Sequence, residues 1–233
     1  MPLFALIGAA RGVGLELVRQ LSANADNTVI VTVRNKEKSV FLNELVRQSQ
    51  NKNIHILEAD VVDAHAMERA AVDAAEITGG ALDVLIHNAA RMEAENRVKG
   101  LFDYESAEKL DAEFLASFQV NVLGVIHAVN AFLPLLRKGT TKKVVIIGSE
   151  AGDCGLVWKI RHAHAAAYGT TKAAANMVAT KYAAELESEG FTVVSVSPGT
   201  VDVSGTSASG ANHGKSCFVT DPRIDLPTYA SRT

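Results

Sequence analysis

Apolar residues in this chain fall into two alternating rhythms. Short runs dominated by Val, Ile and Leu occur at 3–7 (LFALI), 28–33 (TVIVTV), 53–57 (NIHIL), 82–86 (LDVLI), 143–147 (KVVII) and 191–197 (FTVVSVS). Compact runs of this kind suit strands covered on both faces. Longer stretches separate them, at 14–23, 38–48, 64–77, 114–136 and 164–188. Their apolar positions recur three and four residues apart, the period of an amphipathic helix. Strand and helix in regular alternation predict a parallel sheet joined by right-handed crossovers. The expected fold is a doubly wound, three-layer αβα domain with helices on both faces.

The rhythm lapses twice. Residues 91–112 are charged and weakly periodic, so RMEAENRVKG is expected to loop and DYESAEKLDAEFLASF to lead into the long helix. From 202 onward the composition turns to Gly, Ser, Thr and Pro, which predicts a lid or partly disordered tail over 202–233. No repeat or linker divides the remainder, so 1–233 is expected to be one domain.

Composition narrows the functional classes. With 48% hydrophobic residues the chain can bury a sizeable core. A net charge of -3 leaves no cationic surplus for a phosphate backbone, which argues against nucleic acid as a partner. The two cysteines, Cys154 and Cys217, are too few for a disulfide framework and lack metal-ligand spacing, pointing to a reducing, cytoplasmic setting. Apolar runs such as VVII at 144–147 are far shorter than the ~20 residues of a membrane helix. No basic residue precedes Arg11, unlike a secretory signal.

The chemistry begins directly after the first strand. GAARGVG places Gly8, Gly12 and Gly14, with Arg11 and Val13 between them, at a turn into a helix. Glycines there let backbone N–H groups approach a pyrophosphate, which the helix N-terminus also favours. The spacing G-x-x-x-G-x-G in a strand–loop–helix context points to a dinucleotide. At the end of the second strand, where an acid would bond a ribose 2′-hydroxyl, the chain reads VTVRNKEK. Arg34 there can pair with a 2′-phosphate, so NADPH is favoured over NADH. Arg11 and Lys36 are weaker candidates. Asp60 is a candidate for the adenine or, alternatively, a helix N-cap.

Further motifs follow in order. HNAA at 87–90, FQVNVLGVIHAVNAFLPLL, GSEAG, YGTTK and SPGT at 197–200 succeed the glycine loop. Together they resemble the short-chain dehydrogenase/reductase family over residues 1 to about 203, which implies a Rossmann-type fold and carbonyl reductase or ketoreductase chemistry on a small-molecule carbonyl or alcohol. The resemblance puts Asn121, Ser149, Tyr168 and Lys172 at the family's catalytic positions. It puts Asn88, Ala89, Pro198, Gly199 and Val201 beside the cofactor. His87 and Ala90 depart from the family's Asn-Asn-Ala-Gly. By the same resemblance Ser149 would bond the substrate oxygen, Asn121 would hold a water leading to Lys172, and two long helices would build a homodimer or homotetramer.

Tyr168 and Lys172 also speak for themselves. Four residues apart on a helix, they emerge on one face. An ammonium within ~4–6 Å of a phenol favours the phenolate and eases proton transfer. Two departures from the family bear on substrate. Ser149 and Tyr168 stand nineteen positions apart, whereas the family separates them by roughly a dozen, so DCGLVWKIRHAHAA holds an insertion. It offers Trp158 as a substrate wall and Arg161, His162 and His164 as polar contacts; without an acidic or thiol partner the two histidines are not expected to bind metal. No seventh strand is evident after SPGT, and Val203 stands where the family often has a threonine, with Ser204 as a substitute. A non-redox enzyme on the same fold and a cofactor-binding regulatory protein remain alternatives.

Overall fold

The computed structural model describes residues 1–206. Strands β1 (Leu3–Ile7), β2 (Thr28–Val33), β3 (Ile54–Glu58), β4 (Val84–His87), β5 (Lys143–Ile147) and β6 (Thr192–Val196) form one parallel sheet in the order β3-β2-β1-β4-β5-β6. Each predicted strand is present, within two residues of its expected ends. Ala5 pairs with Ile30 on one side and Leu85 on the other. The chain order reverses between β1 and β4, and this switch point opens a crevice at the carboxyl ends of those strands.

Side-chain alternation along β1 shows why both faces are covered. Ala5 and Ile7 enter a core shared with α3 (Ala64–Thr78), α5 (Gly124–Lys138) and α7 (Ala166–Leu186). Leu6 points the other way, into a core with α1 (Gly12–Ser22) and α2 (Val40–Gln48). At the opposite end of the sheet Asp83 accepts hydrogen bonds from the Leu3 and Thr140 amides, at 2.9 and 2.8 Å. Burial pushes its carboxyl pKa up, but those bonds prevail and hold it below the usual range.

The helix expected over 114–136 begins earlier. Ser106 caps α4 (Ala107–Phe118), accepting from the Lys109 amide at 3.4 Å, and a π-turn at Gln119–Leu123 joins it to α5. The resulting 32-residue rod, with a mean hydropathy of 1.5 along its most apolar stretch, is long and apolar enough to cross a membrane, contrary to expectation. Half of that stretch is buried, and Val125, Val129, Phe132 and Leu136 fill the core. Its hydropathy thus follows from its place against the sheet. The insertion before Tyr168 contains a further helix, α6 (Cys154–Ile160), capped by Asp153 and ended by Arg161 in a left-handed conformation. Among the described residues no seventh strand follows β6. Of the 202–233 tail, residues up to 206 include a turn at Ser204–Thr206; the rest, with Cys217, lies outside the described residues.

Candidate active site

The crevice at the switch point has a volume of about 680 Å³, within the usual range for ligand sites. Gly8, Arg11, Gly12, Val13, Arg34, Asp60, Asn88, Ala89, Tyr168, Lys172, Pro198, Gly199 and Val201 all line it. Its floor requires glycine. Gly8 has φ +84, and a Cβ there would lie 2.6 Å from Ala89 Cα. Asn88 Nδ2 donates to the Gly8 carbonyl at 2.5 Å, tying the end of β4 to the end of β1. Gly14 does not line the crevice; a Cβ at that position would stand 2.5 Å from Asn88 Nδ2, so its role is close helix–strand packing. The Gly12 amide, at the start of α1, donates to Thr206 Oγ1 at 2.9 Å.

The cationic candidates from the sequence are divided between the crevice and the surface beside it. Arg11 and Arg34 line the crevice and neither has a carboxylate within ion-pair distance among the described residues. Lys36 does not line it; its backbone N–H donates to Glu58 at 2.8 Å. Asp60 lines the wall and its Oδ1 accepts from the Val62 amide at 3.2 Å. The N-cap of α3 is Asp63, so the alternative role for Asp60 is not observed. Arg-lined rim and glycine floor together fit a nicotinamide dinucleotide with its pyrophosphate at the α1 N-terminus.

Lys172 is 3% exposed. Its Nζ donates to the Ile147 carbonyl at 2.6 Å and lies 5.6 Å from the Tyr168 ring centroid. Burial pulls its pKa down to about 8. His87, 1% exposed at the end of β4, is pushed down to about 3 by burial first and by the charge of Lys172 second, so it is neutral. Its Nε2 has no partner among the described residues.

Ser149 follows β5, and its Oγ accepts from the Ala151 amide at 3.2 Å, capping a single turn at Glu150–Gly152. Two glycines press that turn onto α7. A Cβ on Gly152 would come within 2.6 Å of the Lys172 carbonyl carbon and the Ala173 nitrogen, and one on Gly169 within 2.8 Å of the Ala151 oxygen. Ser149 itself does not line the crevice, but the turn it caps rests on the segment of α7 that carries Tyr168 and Lys172.

Asn121 sits in the π-turn, 1% exposed. Its Oδ1 accepts from the Arg91 amide at 2.6 Å, and Nδ2 donates to the Arg91 carbonyl and to Thr171 Oγ1, at 3.0 and 2.9 Å. Thr171 in turn donates to the Tyr168 carbonyl at 2.9 Å. Both amide hydrogens of Asn121 are engaged, so its side chain ties the β4 exit to α7.

Trp158 does not line the crevice; it is 71% exposed, with the Arg161 guanidinium 3.7 Å from its ring centroid. His162 and His164 rings stand 6.0 Å apart, and among the described residues no cluster suited to a metal occurs. Sequence reasoning passed over Thr171, Gly152, Gly169 and the wall residues Arg91, Met92, Glu93 and Arg97. Only the glycines carried a signal, in GSEAG and YGTTK.

Comparison with known proteins agrees with this arrangement. A family model for short chain dehydrogenases matches residues 3–213. The chain is 42% identical over 207 residues to the short-chain dehydrogenase/reductase atnB of Arthrinium sp, covering 88% of this chain and 77% of that protein. The solved carbonyl reductase Sniffer of D. melanogaster matches with a TM-score of 0.76 and 26% identity, over 90% of this chain and 85% of its own. ElxO, solved with NADP bound, matches with a TM-score of 0.71 and 25% identity, over 87% and 75%. Shared sequence across most of both chains and a crevice built for a dinucleotide lead to one conclusion: the chain belongs to the short-chain dehydrogenase/reductase family and is an NAD(P)-dependent oxidoreductase.

Proposed function

We propose that the chain interconverts a ketone or aldehyde and its alcohol, with NADPH as the preferred cofactor and Tyr168 as general acid and base. The observation that carries this is the placement of Tyr168 in the crevice beside a Lys172 side chain withdrawn from water. The bound nicotinamide supplies or accepts the hydride. Tyr168 hands its phenolic proton to the substrate oxygen, and the neighbouring ammonium favours the phenolate left behind. With a pKa of about 8, Lys172 is still mostly protonated at neutral pH. Ser149 Oγ, while accepting from Ala151, keeps its own hydrogen for the substrate oxygen.

Preference for NADPH is supported by Arg11 and Arg34 on the crevice wall, and by the lack of a carboxylate immediately after β2, where one would repel a 2′-phosphate. The NADP complex of ElxO points the same way. A homo-oligomer is supported by exposed Leu115, Phe118 and Leu123 on the α4–α5 rod and Met177 on α7, and light scattering reads it directly. The functional test mixes NADPH with a panel of aryl and alkyl ketones and follows loss of the cofactor's absorbance. Tyr168→Phe should abolish turnover while NADPH affinity stays close to that of the unaltered protein. Undiminished turnover in that variant would overturn the assignment.

A further inference from the structure

Five buried side-chain polar atoms lack a hydrogen-bond partner among the described residues, and three of them belong to one stretch: Arg91 Nε, Arg97 Nε and Tyr104 OH. Buried donors are almost always satisfied, so such a concentration sets this stretch apart from the rest of the described chain. All three groups are donors. Burial, and then the charge of Glu113, raise the Tyr104 pKa and keep its hydroxyl protonated.

The stretch stands beside the reaction centre. Arg91, Met92, Glu93 and Arg97 line the same crevice as Tyr168 and Lys172. Gly100 donates to Asp103 Oδ2 at 2.7 Å, fixing a turn, and the Lys99 carbonyl accepts from the Ala166 amide at 3.1 Å. Ala166 is two residues before Tyr168, so the loop is hydrogen-bonded to the first turn of the helix that bears the proton donor.

Charge then singles out one residue. The crevice presents Arg11, Arg34, Arg91, Arg97 and Lys172 against Asp60 and Glu93. Arg11 and Arg34 are assigned to the cofactor phosphates, and Lys172 serves Tyr168. Arg91 is bound by Glu113, Nη2 to Oε2 at 2.8 Å, and by Glu93. Arg97 has no carboxylate within ion-pair distance among the described residues. It is half-buried, with Nε sealed from water.

We propose that Arg97 determines substrate specificity by binding a carboxylate, so that the natural substrate class is a ketone carrying a carboxylate arm, with Arg91 beside it on the same wall. A guanidinium presents paired N–H groups to both oxygens of a carboxylate, and partial desolvation strengthens the pairing. This rests on the reductase assignment above, and it adds an anionic group at the far end of the carbonyl substrate.

The test compares benzoylpropionate and benzoylbutyrate with their methyl esters as substrates for the NADPH-loaded protein. The better acid should exceed its ester in kcat/KM by about tenfold or more, chiefly through KM, as a charge-assisted hydrogen bond implies. Arg97→Gln should bring that ratio close to one, and Arg97→Lys should retain part of it. Esters reduced as well as acids, or an acid preference that survives Arg97→Gln, would overturn the proposal. If no ketone is reduced, the reductase assignment fails while Arg97 is still decided by calorimetric titration of benzoylbutyrate into NADP-loaded protein. Binding lost in Arg97→Gln supports the site, and equal binding in both proteins refutes it.

Discussion

Replacing Lys172 by Met should destroy activity and yet make the cofactor-free protein more stable at neutral pH. Lys172 is 3% exposed and its pKa falls from 10.5 to about 8 because burial penalises the ammonium. A depression of that size corresponds to about 3 kcal/mol against the folded state. The unfolded chain holds the Lys172 proton up to its ordinary pKa, whereas the folded chain releases it near pH 8. The penalty is therefore complete below that pH, shrinks as pH rises, and is gone above the unfolded pKa. Met fills similar volume without charge but forfeits the hydrogen bond to the Ile147 carbonyl, about 1 kcal/mol. The variant should gain about 2 kcal/mol at pH 7, or about 4–8 °C in Tm. Urea unfolding of both proteins from neutral to strongly alkaline pH reads the effect. A stability difference that does not change with pH would refute the reasoning.

Three other outcomes follow from groups at the same site. His87 is held neutral by burial with a pKa of about 3, below its ordinary 6.5, so the unfolded chain binds a proton in that window that the folded chain does not. Stability should fall with acidification across it by up to about 1.4 kcal/mol per pH unit, and His87→Asn should flatten that limb in acid titrations followed by circular dichroism. Gly8→Ala places a methyl 2.6 Å from Ala89 Cα at φ +84, and should cost several kcal/mol (roughly 2–4) in denaturant unfolding and abolish cofactor binding. Arg34→Ser should lower the ratio of NADPH to NADH affinity by about tenfold or more, read by fluorescence titration; an unchanged ratio removes Arg34 from 2′-phosphate recognition.

The layered fold was legible because buried parallel strands require unbroken apolar runs, and Val29 to Val33 or Val144 to Ile147 have no other use for them. The residues of the candidate site were legible because Tyr168 and Lys172 lie four apart on one helix and the glycine loop follows directly on a strand. What stayed hidden depends on contacts remote in sequence. The seven residues of α6 are too few to display a helical period. The π-turn leaves no mark in residue type, although it places Asn121 where it can reach Arg91 and Thr171. Arg97 looks like any solvated arginine until Glu113 and Glu93 are seen to occupy its neighbour.

The absence of room at Gly152 and Gly169 bears on how this enzyme can diversify. Because backbone meets backbone there, the seating of the turn at Glu150–Gly152 on α7 is inherited from the path of the main chain, not negotiated among side chains. The wall from Arg91 to Arg97 is a separate piece of chain. On the roles proposed above, substitutions in it would retune what enters the crevice while the proton-transfer geometry is carried over intact, making recognition and chemistry separately adjustable parts of one site.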